Sequence, residues 1–133
     1  LLSDYAHHPK EILQSAKSLK EIYPNRKITV IFQPHLYSRT NDFYRDFAEA
    51  LSHFDEVVLT EIYPAREEPI PGVTSALIYD NLSSNVEKQM IKKDDVLEFA
   101  KGRDFDVLVV LGAGNLDNYV GQLTEIIKEK EQR

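Results

Sequence analysis

Residues 27–62 read KITVIFQPHLYSRTNDFYRDFAEALSHFDEVVLTEI, and this stretch decides the fold. Lys27 to Phe32 holds Ile28, Val30, Ile31 and Phe32, the near-continuous apolar run of a strand buried on both faces. From about Thr40 the period becomes helical and turns Phe43, Phe47, Leu51 and Phe54 inward as core. Glu56 to Ile62 then reads as a further strand. A strand, a helix and a second buried strand in succession form a βαβ unit with parallel strands.

The same alternation extends in both directions. Leu1 to Tyr5 reads as a short strand. Pro9 to Tyr23 reads as a helix, because Pro9 suits the first turn and Ile12, Leu13, Ala16, Leu19 and Tyr23 share one face before Pro24-Asn25 stops it. Beyond Ile62, a Pro-rich loop from Tyr63 to Gly72 leads to a helix that Thr74 or Ser75 can cap. Val86 to Met90 reads as a strand, followed by a short helix capped by Asp94, with Val96, Leu97, Phe99 and Ala100 partly inward. Val107 to Leu111 is the last strand; Gly112-Ala113-Gly114 ends it, and a final helix runs from about Leu116 to Lys130. The expected class is α/β: a three-layer Rossmann-like domain with a mostly parallel sheet of about five or six strands flanked by helices, residues 1–133 forming one domain.

Composition narrows the function. The chain has 133 residues, with 16 Lys plus Arg against 22 Asp plus Glu, a formal charge of −6. A chain of this length buries roughly two thirds of the surface its unfolded form exposes, enough for a core without covalent staples. There is no Cys, which excludes disulfides, thiolate zinc sites, iron–sulfur clusters and cysteine nucleophiles, and makes the cytoplasm the expected compartment. The longest aliphatic run, Val107 to Leu111, is far short of the roughly 20 residues that cross a bilayer, and the start lacks the basic and apolar segments of an export signal. An acidic balance without a Lys/Arg cluster speaks against nucleic acid as a partner. The only Met is Met90, so a chain opening on Leu1-Leu2 reads as cut from something longer.

Ligands of open parallel sheets bind beyond the carboxyl ends of the strands, where loops and helix N-termini face one crevice. His7 and His8 follow the first strand, Gln33 to Arg39 the second, Tyr63 to Glu68 the third, and Gly112 to Asn115 the last. All four segments fall on that edge, whereas the opposite loops, Pro24-Asn25-Arg26 and Lys101-Gly102-Arg103-Asp104, read as ordinary turns. His7-His8 before a helix is equally a surface cap, and with no third ligand at helical spacing no metal is expected. Gly112-Ala113-Gly114 begins like a dinucleotide fingerprint, but Asp117 stands in the place of the third glycine, and close strand-to-helix packing explains the turn as well. Arg39 at a helix start is either solvated or set against an anion that offsets the helix dipole. Arg66 and Glu67 read as a surface pair.

Ser3-Asp4-Tyr5-Ala6-His7-His8-Pro9 and Phe32-Gln33-Pro34-His35-Leu36-Tyr37-Ser38-Arg39-Thr40 closely resemble the C-terminal domain of the Mur ligase family, within it the branch that adds L-alanine. Tyr63-Pro64-Ala65-Arg66-Glu67, Pro69-Ile70-Pro71-Gly72 and the Gly112-Ala113-Gly114 turn continue the likeness over essentially the whole chain. The family often has Asp where Ser3 stands and Arg where Leu36 stands, which leaves Arg39 as the only cation of its loop.

The resemblance implies an ATP- and Mg2+-dependent ligase of bacterial cell-wall synthesis. Such an enzyme joins the lactyl carboxylate of UDP-N-acetylmuramate to the amino group of L-alanine through an acyl phosphate, in the cytoplasm. Three domains share this work, and the C-terminal one closes over the nucleotide and presents the amino acid. By resemblance, His35 and Arg39, with Ser38, hold the alanine carboxylate; His7 faces the reacting groups as the candidate catalytic residue. Tyr5 lies near the adenine and Asp4 orients its neighbours on the nucleotide side. His8, Tyr37, Arg66, Glu67, Gly112 and Gly114 belong to the surrounding loops. The proton of the alanine ammonium could pass to His7 or to His35, both with a reference pKa of roughly 6.5. No Gly-x-x-x-x-Gly-Lys-Ser/Thr phosphate loop occurs, so the chain alone is expected to bind no ATP or Mg2+ and to catalyse nothing. The other readings are a recycling ligase of the same superfamily that attaches a preformed peptide, and a freestanding flavodoxin-like binding module.

Overall fold

The computed structural model describes residues 2–4, 8–103, 105–112 and 125. Its elements are β1 (Leu2–Asp4), α1 (Pro9–Ile22), β2 (Ile28–Gln33), α2 (Tyr37–Leu51), β3 (Glu56–Leu59), α3 (Ala76–Tyr79), β4 (Glu87–Met90), a 3-10 turn (Lys93–Asp95) that runs into α4 (Val96–Lys101), and β5 (Val107–Gly112). The expected turn at Ala113-Gly114 and, but for Glu125, the helix from Leu116 to Lys130 lie outside the described residues, as do Tyr5 and His7.

Five parallel strands form one sheet in the order β1-β5-β2-β3-β4. The connections β1 to β2, β2 to β3 and β3 to β4 all advance in one direction, and β4 to β5 returns. Right-handed crossovers therefore require α1, α2 and α3 on one face and α4 on the other. Packing agrees. Val30, Phe32, Val57, Leu59, Val109 and Leu111 meet Ile12, Ala16, Phe47, Leu51 and Ile78, whereas Ile31, Val58, Leu108 and Val110 meet Val96 and Ala100. Phe32 and Phe47, each 1% exposed with ring centroids 5.5 Å apart, each contribute on the order of 2–3 kcal/mol by leaving water.

One row of the register crosses all five strands: Asp4, Leu111, Phe32, Leu59 and Met90. The carboxyl ends of the strands are thus level, and the loops that leave them share one edge.

Several local expectations are corrected. α2 starts at Tyr37, not near Thr40: the Thr40 N–H and hydroxyl both donate to the Leu36 carbonyl, at 3.2 and 2.9 Å, so Thr40 closes the first turn. Phe43, expected in the core, is 36% exposed and set against the His8 ring. β3 ends at Leu59, although Thr60 and Ile62 stay buried. α3 is a single turn, with the Thr74 hydroxyl accepting from the Ala76 N–H. Asp95, not Asp94, stands at the N-cap of α4.

The amino-terminal edge is also less ordinary than its sequence suggests. Glu56 is 1% exposed, and the Arg103 guanidinium donates to both its oxygens. Thr29 and Gln89 add a hydrogen bond each, and Arg103 lies over the rings of Phe99 and Phe105.

Candidate functional site

β2 leaves the sheet at Gln33, paired with Gly112, because Pro34 has no N–H to continue the ladder. The Pro34 carbonyl accepts from the Tyr63 N–H at 2.8 Å, and the Leu36 N–H donates back to Tyr63 at 2.9 Å. These two bonds set His35 opposite Tyr63 in an isolated parallel bridge, with their rings stacked at 5.6 Å and 16°. The loop after β2 is thereby laced to the loop after β3.

Both loops carry backbone strain. Leu36 has φ of 72° and Ala65 φ of 54°, left-handed conformations that cost non-glycine residues about 1–2 kcal/mol each. Such strain concentrates where a side chain must be aimed. At Leu36 the chain reverses into α2; at Ala65 it turns so that the Glu67 N–H reaches the Pro64 carbonyl at 2.9 Å.

That turn delivers Glu67 to the start of α2. Its carboxylate accepts from the Ser38 N–H at 3.1 Å and from the Ser38 hydroxyl. The Ser38 hydroxyl and N–H hold the Glu67 carboxyl below the usual carboxylate range, with smaller help from the Tyr37 N–H and the charge of His35. Leu36 has no polar side chain with which to cap the helix, so the cap comes from a residue 31 positions later. The start of α2 is thus met by an anion from the chain itself, the Glu67 carboxylate on Ser38. Among the described residues no ion pair joins Arg66 to Glu67; Arg66 is exposed on the turn.

Arg39, half-buried in the first turn of α2, has its Nη1 atom buried with no hydrogen-bond partner among the described residues. A buried donor left in this state costs about 1–3 kcal/mol or more when charged, which an anionic guest would recover. His8 is an exposed N-cap, its Nδ1 accepting from the Lys10 N–H at 3.3 Å. Asp4 ends β1 beside Leu111. Tyr5, His7 and Gly114 lie outside the described residues.

The structure thus gathers His35, Tyr37, Ser38, Arg39 and Glu67 at one edge. It sets His8 at the start of α1, Arg66 on the outer turn and Gly112 at the end of β5. A cavity of about 430 Å³ adjoins this group beyond β3 and β4, lined by Tyr37, Thr60, Glu61, Ile62, Thr74, Ser75, Ala76, Met90, Ile91 and Lys92. Sequence reading missed it; the long Pro-rich loop was the available signal. Among the described residues no group of three or more His, Cys, Asp or Glu could hold a metal ion.

Residues 1–114 match the family described as Mur ligase, glutamate ligase domain. The UDP-N-acetylmuramate–L-alanine ligase of Phocaeicola vulgatus is 57% identical over 129 residues, 97% of this chain and 28% of that protein. The protein of the same name from Porphyromonas gingivalis is 54% identical over 90% of this chain and 26% of its own length. Among solved structures, the UDP-N-acetylmuramate-alanine ligase of Thermotoga maritima superposes with a TM-score of 0.70 at 31% identity, covering 98% of this chain and 26% of that one. A murein peptide ligase of Psychrobacter arcticus reaches the same TM-score at 17% identity over 93% of this chain and 26% of its own, a likeness of fold alone. The chain spans a little over a quarter of the length of the curated relatives it matches.

Proposed function

Since this chain belongs to the Mur ligase family, as its glutamate ligase domain, we propose that it is the closing domain of an ATP-dependent, three-domain ligase that joins L-alanine to UDP-N-acetylmuramate. The observation that carries the site is the buried guanidinium N–H of Arg39 at the carboxyl edge of the sheet, which has no hydrogen-bond partner among the described residues. The relatives at 57 and 54% identity, both named for L-alanine, favour that amino acid over a preformed peptide.

In this reading the alanine carboxylate binds Arg39 and His35. A planar guanidinium recognises a carboxylate through paired donors, and the stack on Tyr63 fixes the plane of His35. Ser38, whose N–H and hydroxyl both donate to Glu67, orders the loop beside the carboxylate site in this reading. The amine is presented to the lactyl carbonyl, activated as an acyl phosphate, and positioning supplies much of the rate. His7 and His35 are the two imidazoles with a reference pKa, about 6.5, suited to taking the ammonium proton.

ATP and Mg2+ make the acyl phosphate. Among the described residues no group of three or more His, Cys, Asp or Glu could hold a metal ion, and the sequence has no Gly-x-x-x-x-Gly-Lys-Ser/Thr phosphate loop. By the family resemblance, Asp4 and Tyr5 serve the nucleotide in this reading. No helix among the described residues is long and apolar enough to cross a membrane, and a bacterial cytoplasm is the compartment where ATP and the UDP-sugar meet.

The test is phosphate release by the full-length protein, expected to require L-alanine and UDP-N-acetylmuramate together. Release that ignores L-alanine, or that is driven only by a preformed peptide, overturns the reading. The 133-residue chain alone is expected to release none.

A further inference from the structure

The first turn of α2 has donors without partners of its own. Tyr37, Ser38 and Arg39 are its first three helical residues, the residue before them is Leu36, and no side chain at that cap position accepts from them. Glu67 fills the gap from the far side of the crevice. One oxygen accepts from the Ser38 N–H at 3.1 Å and the other from the Ser38 hydroxyl.

Arg39 follows Ser38 directly, so the rotation and depth of this turn decide where its guanidinium lies. The lacing of His35 and Leu36 to Tyr63 fixes the loop on one side of the turn, and the Glu67 carboxylate fixes the other. Ala65, held at φ 54°, has the geometry that returns Glu67 toward α2. An ordinary surface cap would need neither a strained alanine nor a partner 29 residues away.

We infer that Glu67 is a positioning residue for the amino-acid site: its carboxylate clamps the first turn of α2 to the loop after β3 and so aims Arg39 at the substrate carboxylate. The inference rests on the reading of Arg39 given above. It also predicts that the substrate carboxylate does not take the Ser38 N–H, because Glu67 holds it.

The test uses the full-length protein with L-alanine, UDP-N-acetylmuramate and ATP varied separately. Glu67→Ala is expected to raise the KM for L-alanine about tenfold and to leave the other two KM values unchanged. Glu67→Gln keeps one acceptor oxygen and is expected to restore part of the loss; it reads the same split if Glu67→Ala does not fold. Amide exchange in residues 33–40 is expected to quicken in Glu67→Ala. An unchanged KM for L-alanine, or equal rises for all three substrates as a general loss of structure gives, overturns the inference. The wild-type control separates the two levels: a wild-type protein indifferent to L-alanine defeats the functional reading and this inference with it, whereas an L-alanine-dependent wild type with an unaffected Glu67→Ala defeats the inference alone.

Discussion

Arg103 grips Glu56 through two parallel hydrogen bonds, Nη1 to Oε2 at 2.8 Å and Nη2 to Oε1 at 2.9 Å, across the amino-terminal edge of the sheet. The carboxylate is buried, with side-chain exposure of 2%, and the guanidinium is 31% exposed. Removing the cation therefore strands a buried charge. Arg103→Met is expected to destabilise the fold by about 2–3 kcal/mol, below the usual cost of breaking a fully buried pair because water reaches Arg103. The Glu56→Gln, Arg103→Met double variant should recover most of that loss, as urea denaturation of the set will show. A single variant as stable as wild type would mean that Lys27, 4.0 Å from Glu56, suffices as a partner.

The same pair gives acid sensitivity. Burial pushes the Glu56 carboxyl up, but the hydrogen bonds of Arg103 and Thr29 and the charges of Arg103 and Lys27 outweigh it and hold the group below its ordinary 4.5. A depressed folded pKa stabilises above the unfolded value, and the contribution is lost as pH falls through the folded one. Urea midpoints are thus expected to stay level from pH 7 to about pH 5 and to drop progressively below about 4.5. Glu56→Gln should flatten part of that drop, and an unaltered acid limb in this variant would place the sensitivity elsewhere.

What the sequence made legible follows from how far apart the interacting residues lie. The apolar runs of β2 and β5 are local, so the α/β alternation, and with it the edge where the candidate residues gather, can be read without coordinates. The start of α2 cannot, since its cap is Glu67 and the residues near Leu36 give no sign of it. Phe43 shares the helical period of the core residues but lies in the first turns of α2 beside the His8 ring, where it is 36% exposed, and periodicity alone does not show how far along a helix the core extends. Arg103 reads as a turn residue because Glu56, which makes it a clamp, is 47 positions earlier. The sequence sets Arg39 at a helix start that calls for an anion; the structure places Glu67 at that start, and Arg39 Nη1 is buried without a hydrogen-bond partner among the described residues.

Arg39→Ala in the full-length protein is expected to weaken use of L-alanine by about 10- to 150-fold in kcat/KM, the value of a charge-assisted hydrogen bond, with little change for UDP-N-acetylmuramate. Arg39→Lys keeps the charge but loses the planar fork, and should fall between. Equal losses for both substrates would remove Arg39 from the amino-acid site. Thermal stability should hold, because Nη1 makes no hydrogen bond to any described residue.

Ala65 separates the strain in the site from its purpose. At φ 54° an alanine pays for a conformation that glycine adopts freely, so Ala65→Gly relieves the folded state by about 1–2 kcal/mol while giving the unfolded chain more freedom, worth about 0.4–1 kcal/mol in the opposite direction. The net expectation is a stabilisation of about 0.5–1 kcal/mol by urea denaturation. The turn still returns Glu67 to Ser38, since its Glu67 to Pro64 bond uses backbone atoms alone, and the KM for L-alanine should therefore stay near wild type. Ala65→Val tests the converse, because a β-branched side chain tolerates positive φ least. It is expected to destabilise the fold and to raise the KM for L-alanine along the same route as Glu67→Ala. A valine variant that loses stability yet keeps its alanine KM would show that the turn at Ala65 supports the fold without aiming Arg39.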